Sequence, residues 1–137
     1  MSKSDENVNA TIMLLDDRDT IIRKFKRAVT DSEAEIRYGE DKPGISNLMD
    51  IYGCVTGKSH DEITAEFAGK GYGEFKLAVG EAVADELAPL QKRYEELVKD
   101  KAYIEHCIKE NDDKARYFAT KTLRKVQKKV GLTELIR

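Results

Sequence analysis

Cysteine is scarce, long apolar runs are absent and neither charge sign dominates, and each of these shortages narrows what the chain can be. Its two cysteines, Cys54 and Cys107, stand far apart in helix-like patterns beside apolar neighbours. No CxxC pair and no cysteine–histidine cluster occurs, so neither a metal site nor a disulfide framework is expected, and both thiols read as small buried hydrophobes. No apolar run approaches the roughly 18 residues of a spanning helix, and no signal-peptide core is present, which sets a membrane role aside and points to a cytoplasmic protein. Formal net charge is only −2. Bulk charge therefore cannot hold the chain on nucleic acid, and only local basic patches could. The two histidines, His60 and His106, sit among polar neighbours, read as solvated, and lack the serine or cysteine and carboxylate of a nucleophilic triad.

What is there is helical periodicity. The chain has 137 residues, 40% of them apolar and 36% charged, enough for one domain with a charged exterior. Asp17 can cap a first helix with Ile21, Ile22, Phe25, Ala28 and Val29 on one face and Arg23, Lys24, Lys26 and Arg27 on the other. That helix should stop near Thr30, where TDSEAE offers local side-chain bonds to the backbone instead. Residues 31–44 read as a loop. Pro43 then suits the first turn of a helix carrying Ile45, Leu48, Met49 and Tyr52, which Gly57 ends. Ser59 and Glu62 form a capping-box pattern for a short helix with Ile63 and Phe67. AGKGYG, residues 68–73, reads as a turn that needs positive φ or close backbone approach. A long pattern from Phe75 to Leu97 contains Pro89 and should kink there. A short helix around Tyr103, Cys107 and Ile108 and a last one from about Asp113 to Val130 complete the reading. The last helix turns Ala115, Phe118, Ala119, Thr122, Leu123, Val126 and Val130 inward. No stretch alternates as a strand would. The expected fold is all-α, a bundle of about five to six helices behind a polar N-terminal segment.

Two stretches invite a chemical reading. GCVTGKS, residues 53–59, has three residues between its glycines where a phosphate-binding P-loop needs four, and helical spacing precedes it, so it reads as a helix end followed by a cap. From Lys114 to Lys129 seven residues are basic and none is acidic. Lys121, Arg124, Lys125 and Lys128 share the side opposite the apolar stripe. That face is either a solvated exterior or a surface for phosphates.

The opening stretch, MSKSDEN, has nothing apolar after Met1 and cannot pack. MSKS is four-fifths of the KMSKS signature of class I aminoacyl-tRNA synthetases, and Glu6 stands where the similar SKSDPN form has proline. LLDDRDTIIRKFKRAVTDSE, KPGISNLMDIY, TGKSHDEI, EFAGKGYGEFK and LAPLQKRYEEL follow in order. Together they resemble the C-terminal part of bacterial tryptophanyl-tRNA synthetases over essentially the whole chain.

That resemblance implies a division into residues 1–15, a remnant of the KMSKS loop with its connecting segment, and residues 16–137, a helical domain of the anticodon-binding type. It implies ATP and magnesium as substrate and cofactor of the intact enzyme, the tRNA for tryptophan as partner and a homodimeric assembly. Met1, Ser2, Lys3 and Ser4 would bind ATP. Lys3 would act catalytically by stabilising the charge that grows on departing pyrophosphate. The motif's first lysine, a HIGH motif and the tryptophan pocket do not occur in this sequence, so the polypeptide alone is expected to be inactive. Anticodon bases are read by hydrogen bonds and stacking. Asp31, Ser32 and Arg37 are the base-reading candidates, with a loop held by its own local bonds as the equal alternative. Lys70, Tyr72, Lys121 and Arg124 would touch the RNA backbone. A stand-alone helical module that binds RNA or protein is the rival reading. ATIMLL, residues 10–15, is the first suspect for an exposed apolar surface.

Overall fold

The computed structural model describes residues 7–132. A 3₁₀ turn, Val8–Ala10, precedes α1 (Arg18–Lys26), α2 (Pro43–Thr56), α3 (His60–Glu66), α4 (Tyr72–Lys99) and α5 (Lys101–Lys129), with no strand among the described residues. The expectation of an all-α fold is met. No described helix is long and apolar enough to cross a membrane. The chain divides into two compact units, residues 1–92 and 93–137.

In the first unit each helix start follows from a local donor–acceptor match. The Asp17 carboxylate accepts from Thr20 N at 2.8 Å and opens α1, and this backbone bond holds the Asp17 carboxyl below its usual range. Pro43 occupies the first turn of α2, and Gly57 closes it at φ 73°, with its N–H on the Gly53 carbonyl. Ser59 and Glu62 form the reciprocal capping box of α3. Gly69 turns AGKGYG at φ 77°. The buried stripes of these helices share one core, in which Tyr52, Phe67 and Phe75 meet edge to face with centroids 4.9–6.0 Å apart. Ile21, Ile45, Met49, Ile63 and Val79 fill the space around them.

Three expectations about this unit are corrected. Helix α1 ends at Lys26, short of Thr30, and Val29 is 88% exposed, not inward. The cause is close backbone packing: a Cβ on Gly44 would lie 2.4 Å from the Val29 carbonyl oxygen, so the chain must leave the helix for α2 to pass. Lys24, assigned to the outer basic face, is buried; its ammonium bonds Asp16 at 2.6 Å and the Thr11 carbonyl at 2.9 Å. Cys54 is exposed, because it lies two residues past Tyr52, about 200° around α2 from the inward stripe. Met13, Leu14 and Leu15 are exposed as ATIMLL suggested, while Gln91 grips the Leu14 and Asp16 carbonyls, each at 2.9 Å.

In the second unit the two helices expected after residue 100 are one. Asn111 donates to the Cys107 carbonyl at 2.8 Å, and the pairs Glu110–Lys114 and Asp112–Arg116 bridge successive turns across the supposed gap. Asp100 caps this helix on Tyr103 N. No described residue of α5 is buried: Phe118 is 66% exposed, and Leu123, Val126 and Val130 are exposed as well, so the inward stripe has no counterpart. Cys107 is half-buried, not buried.

Replacing Gly44 by alanine should test how closely α2 approaches the Val29–Thr30 backbone beyond α1. Alanine ordinarily favours a helix, but here its methyl meets backbone, so a loss of about 1–3 kcal/mol is expected. A urea midpoint equal to wild type would show that the contact yields.

Candidate functional site

Residues 27–42 cross from α1 to α2 as an irregular loop, and a buried cation fixes it. Lys42 is 1% exposed. Its ammonium meets Glu33 at 2.8 Å, Asp31 at 3.1 Å and the Tyr72 hydroxyl oxygen at 3.1 Å. Together these contacts raise its pKa, the Glu33 bond most strongly. A lysine so deep is tolerated only when charge and hydrogen bonds compensate it. The Tyr72 hydroxyl, at the start of α4, donates to Asp31 Oδ1 at 2.6 Å and lies 3.0 Å from the Glu35 carbonyl. Lys76, one turn further, donates to the Ala28 carbonyl at 2.8 Å and to Thr30 Oγ1 at 2.9 Å. Helix α4 therefore clasps both ends of the loop's first half.

Of the base-reading candidates, Asp31 is drawn into this clasp. The Tyr72 hydroxyl bond pulls its carboxyl down to about 2 against the opposing effect of burial, helped by the Glu33 N–H and Lys42. Its second oxygen, Oδ2, is buried with no hydrogen-bond partner among the described residues. Ser32 is exposed beside it. Arg37 forms a two-pronged pair with Asp41 and a further contact to Glu35 at 3.3 Å; the Asp41 bond is the main reason its pKa is raised. The loop is thus held by its own bonds while Ser32 faces outward. Lys70 is exposed, with its ammonium 4.8 Å from the Phe67 ring centroid. Tyr72 has its hydroxyl turned into the clasp.

In the second unit, Lys121 and Arg124 lie on an exposed face of α5 with Arg116, Tyr117 and Lys125, the Lys121 ammonium 5.7 Å from the Tyr117 ring centroid. Lys114 and Arg116 are matched to acids one turn earlier. Met1, Ser2, Lys3 and Ser4 lie outside the described residues. Among the described residues no group of three or more His, Cys, Asp or Glu stands together to hold a metal ion.

Sequence reasoning missed three features. Lys24 and Lys42 looked like ordinary surface or loop lysines, and no local pattern marks a lysine for burial. His60 is not simply solvated: its Nε2 lies 2.9 Å from Asp50 Oδ1, and its ring is stacked on Tyr38 with centroids 3.9 Å apart.

The family model of class I tRNA synthetases (W and Y) matches residues 1–88; the chain belongs to that family. Within it, the relatives are tryptophan–tRNA ligases. The one from Clostridium perfringens is 46% identical over 96% of this chain and 40% of its own length, and that from Wolinella succinogenes 47% identical over the same shares. A solved tryptophanyl-tRNA synthetase from Mycoplasma pneumoniae superposes with a TM-score of 0.67 at 26% identity, over 98% of this chain and 42% of that one. The chain spans about two-fifths of the length of the curated relatives it matches.

Asp31 provides a pH test of the clasp. Its folded pKa is depressed, so the stability it contributes is complete above its ordinary value of 3.8 and is lost as pH falls through about 2. Asp31→Asn should therefore flatten the acid limb of a urea-midpoint-versus-pH curve between those values. An unchanged limb would place the carboxylate outside the network.

Proposed function

We propose that this chain is the tRNA-anticodon-binding portion of a tryptophan–tRNA ligase. In the intact enzyme it serves the attachment of tryptophan to its tRNA through an adenylate made from ATP. The observation that carries this reading is the loop of residues 27–42. Lys42, Tyr72 and Lys76 hold it rigid from inside, yet Ser32 and Tyr38 are left exposed on it. Reading unpaired bases needs that combination: donors and ring faces that reach solvent from a backbone that does not have to be ordered on binding.

The residues divide into three roles. Ser32 and Arg37 offer base-edge contacts, and Asp31, bonded to Tyr72 and Lys42, holds the loop segment that presents them. Tyr72 supports Asp31 from behind. Lys70, on the AGKGYG turn, and separately Lys121 and Arg124, on α5, contact phosphates, which position the RNA without reading it. Lys3, with Met1, Ser2 and Ser4, belongs to the ATP side of the intact enzyme, where magnesium-bound triphosphate is the substrate.

Two measurements test the reading. Titrated at two salt concentrations, the purified chain should prefer a stem-loop bearing the tryptophan anticodon over one with an altered anticodon, and the preference should survive added salt. Lys70→Ala should weaken both complexes alike and lower the salt slope by about 1. Equal binding that collapses with salt would leave phosphate contact only and overturn base reading. Separately, the chain alone should give no tryptophan-dependent pyrophosphate–ATP exchange; any exchange above background would show an adenylating site within these 137 residues.

A further inference from the structure

We propose that Tyr38, backed by His60, is a platform on which an unpaired nucleobase of the bound RNA stacks. This deepens the RNA-binding reading above and rests on it. The two rings are nearly parallel, 11° apart, with centroids at 3.9 Å. Tyr38 is 49% exposed, as expected of a ring with one face covered by imidazole and the other open. His60 is fixed in turn by the Asp50 carboxylate at 2.9 Å and by its place in the first turn of the capped helix α3.

The backbone that carries Tyr38 is pinned on both sides. Ile36 is buried in the core two residues before it. Gly39, just after it, donates to Ser46 Oγ at 3.0 Å and accepts from the same hydroxyl at 2.8 Å. Lys42 N closes the turn on the Gly39 carbonyl, and the Arg37–Asp41 pair brackets it from outside. Burial of Tyr38 cannot be the purpose of this bracing, since the ring remains half in water. A rigid, open aromatic face does suit a ligand with a flat π surface, because the ordering cost falls before binding. Every base has such a face, and parallel stacking on aromatics is the common way of holding a base that has left its helix. Beside the stack, a shallow depression lined by Asp50, Cys54, Lys58, Ser59 and His60 offers polar groups for the attached sugar and phosphate. The same loop carries Ser32 and Arg37, so one braced segment would both stack and read.

The test uses the whole chain and a short unstructured RNA oligonucleotide carrying 2-aminopurine, whose emission falls when the base stacks. The chain contains no tryptophan, so protein emission does not interfere. Wild type should quench the probe. Tyr38→Ala should abolish the quench and weaken binding roughly 5- to 150-fold, whereas Tyr38→Phe should keep both. His60→Gln, which removes the backing ring and leaves Tyr38, should reduce both in proportion and decides the matter if Tyr38→Ala loses its helical circular dichroism. Wild-type quenching in both Tyr38→Ala and His60→Gln, or no quenching by wild type, would overturn the platform. Anticodon preference measured on the stem-loops is independent of this signal. Preference without Tyr38-dependent quenching sinks the platform alone, and quenching without preference supports the platform while sinking the anticodon reading.

Discussion

The first unit of this protein depends on one buried positive charge. Removing the Lys42 ammonium from water is costly, and the cost is offset only because Asp31, Glu33 and Tyr72 converge on it. That requirement has structural reach. It draws an otherwise irregular loop against the start of α4 and fixes where α2 begins, since Lys42 immediately precedes its first turn. It also lowers the Asp31 carboxyl through Tyr72. Take the charge away and the loop would keep its bonds to Tyr72 and Lys76 but lose the cation on which Asp31 and Glu33 converge. Replace it by an apolar side chain, and two carboxylates would be left facing each other without a counter-ion.

Lys24 repeats the device at the other end of α1, where its ammonium joins Asp16 and the Thr11 carbonyl. Burial raises the Asp16 pKa, but the bonds from Lys24 and the Met13 N–H outweigh it and leave the carboxyl ionised lower than usual. Two segments without regular structure, residues 11–16 and 31–42, are thus each tied to the helical core by a lysine. The apolar core, from Ile21 to Ala84, provides most of the cohesion, and the lysines determine what the connecting chain does. For a surface that must present polar groups in a set geometry, that division of labour is apt: apolar packing is non-directional, whereas a charged hydrogen bond fixes an angle.

Helix positions were legible because their signals are local. Asp17, Pro43, Gly57 and the Ser59–Glu62 pair mark ends that depend on neighbours within four residues, and the stripe from Ile45 to Tyr52 marks the inner face directly. Two of the errors share an origin: the early end of α1 and the burial of Lys24 are set by residues outside that helix, Gly44 against Val29 and Asp16 beneath Lys24. The exposure of Cys54 is different, following from its own place on α2, away from the stripe that Tyr52 belongs to. The break expected between Ile108 and Asp113 failed differently: no glycine or proline stands there, and paired charges carry the helix through. Of the candidate site, Asp31, Ser32 and Arg37 were found on the loop through the family resemblance, but not the bracing behind them. Tyr38 and His60, 22 positions apart, carry no sequence signal of their stacking.

The 29 residues of α5, none of them buried among those described, have a thermodynamic consequence of their own. A helix with no buried residue exposes little new apolar surface to water when it unwinds, so its melting carries only a small heat-capacity change. Its ends fray first, and coil spreads inward turn by turn, as in an isolated peptide held by a cap and a few side-chain pairs. Residues 7–92 instead surround a closed aromatic and aliphatic centre and lose it at once. A single melting temperature therefore does not describe this chain: heating superimposes a gradual helix–coil slope on a cooperative step.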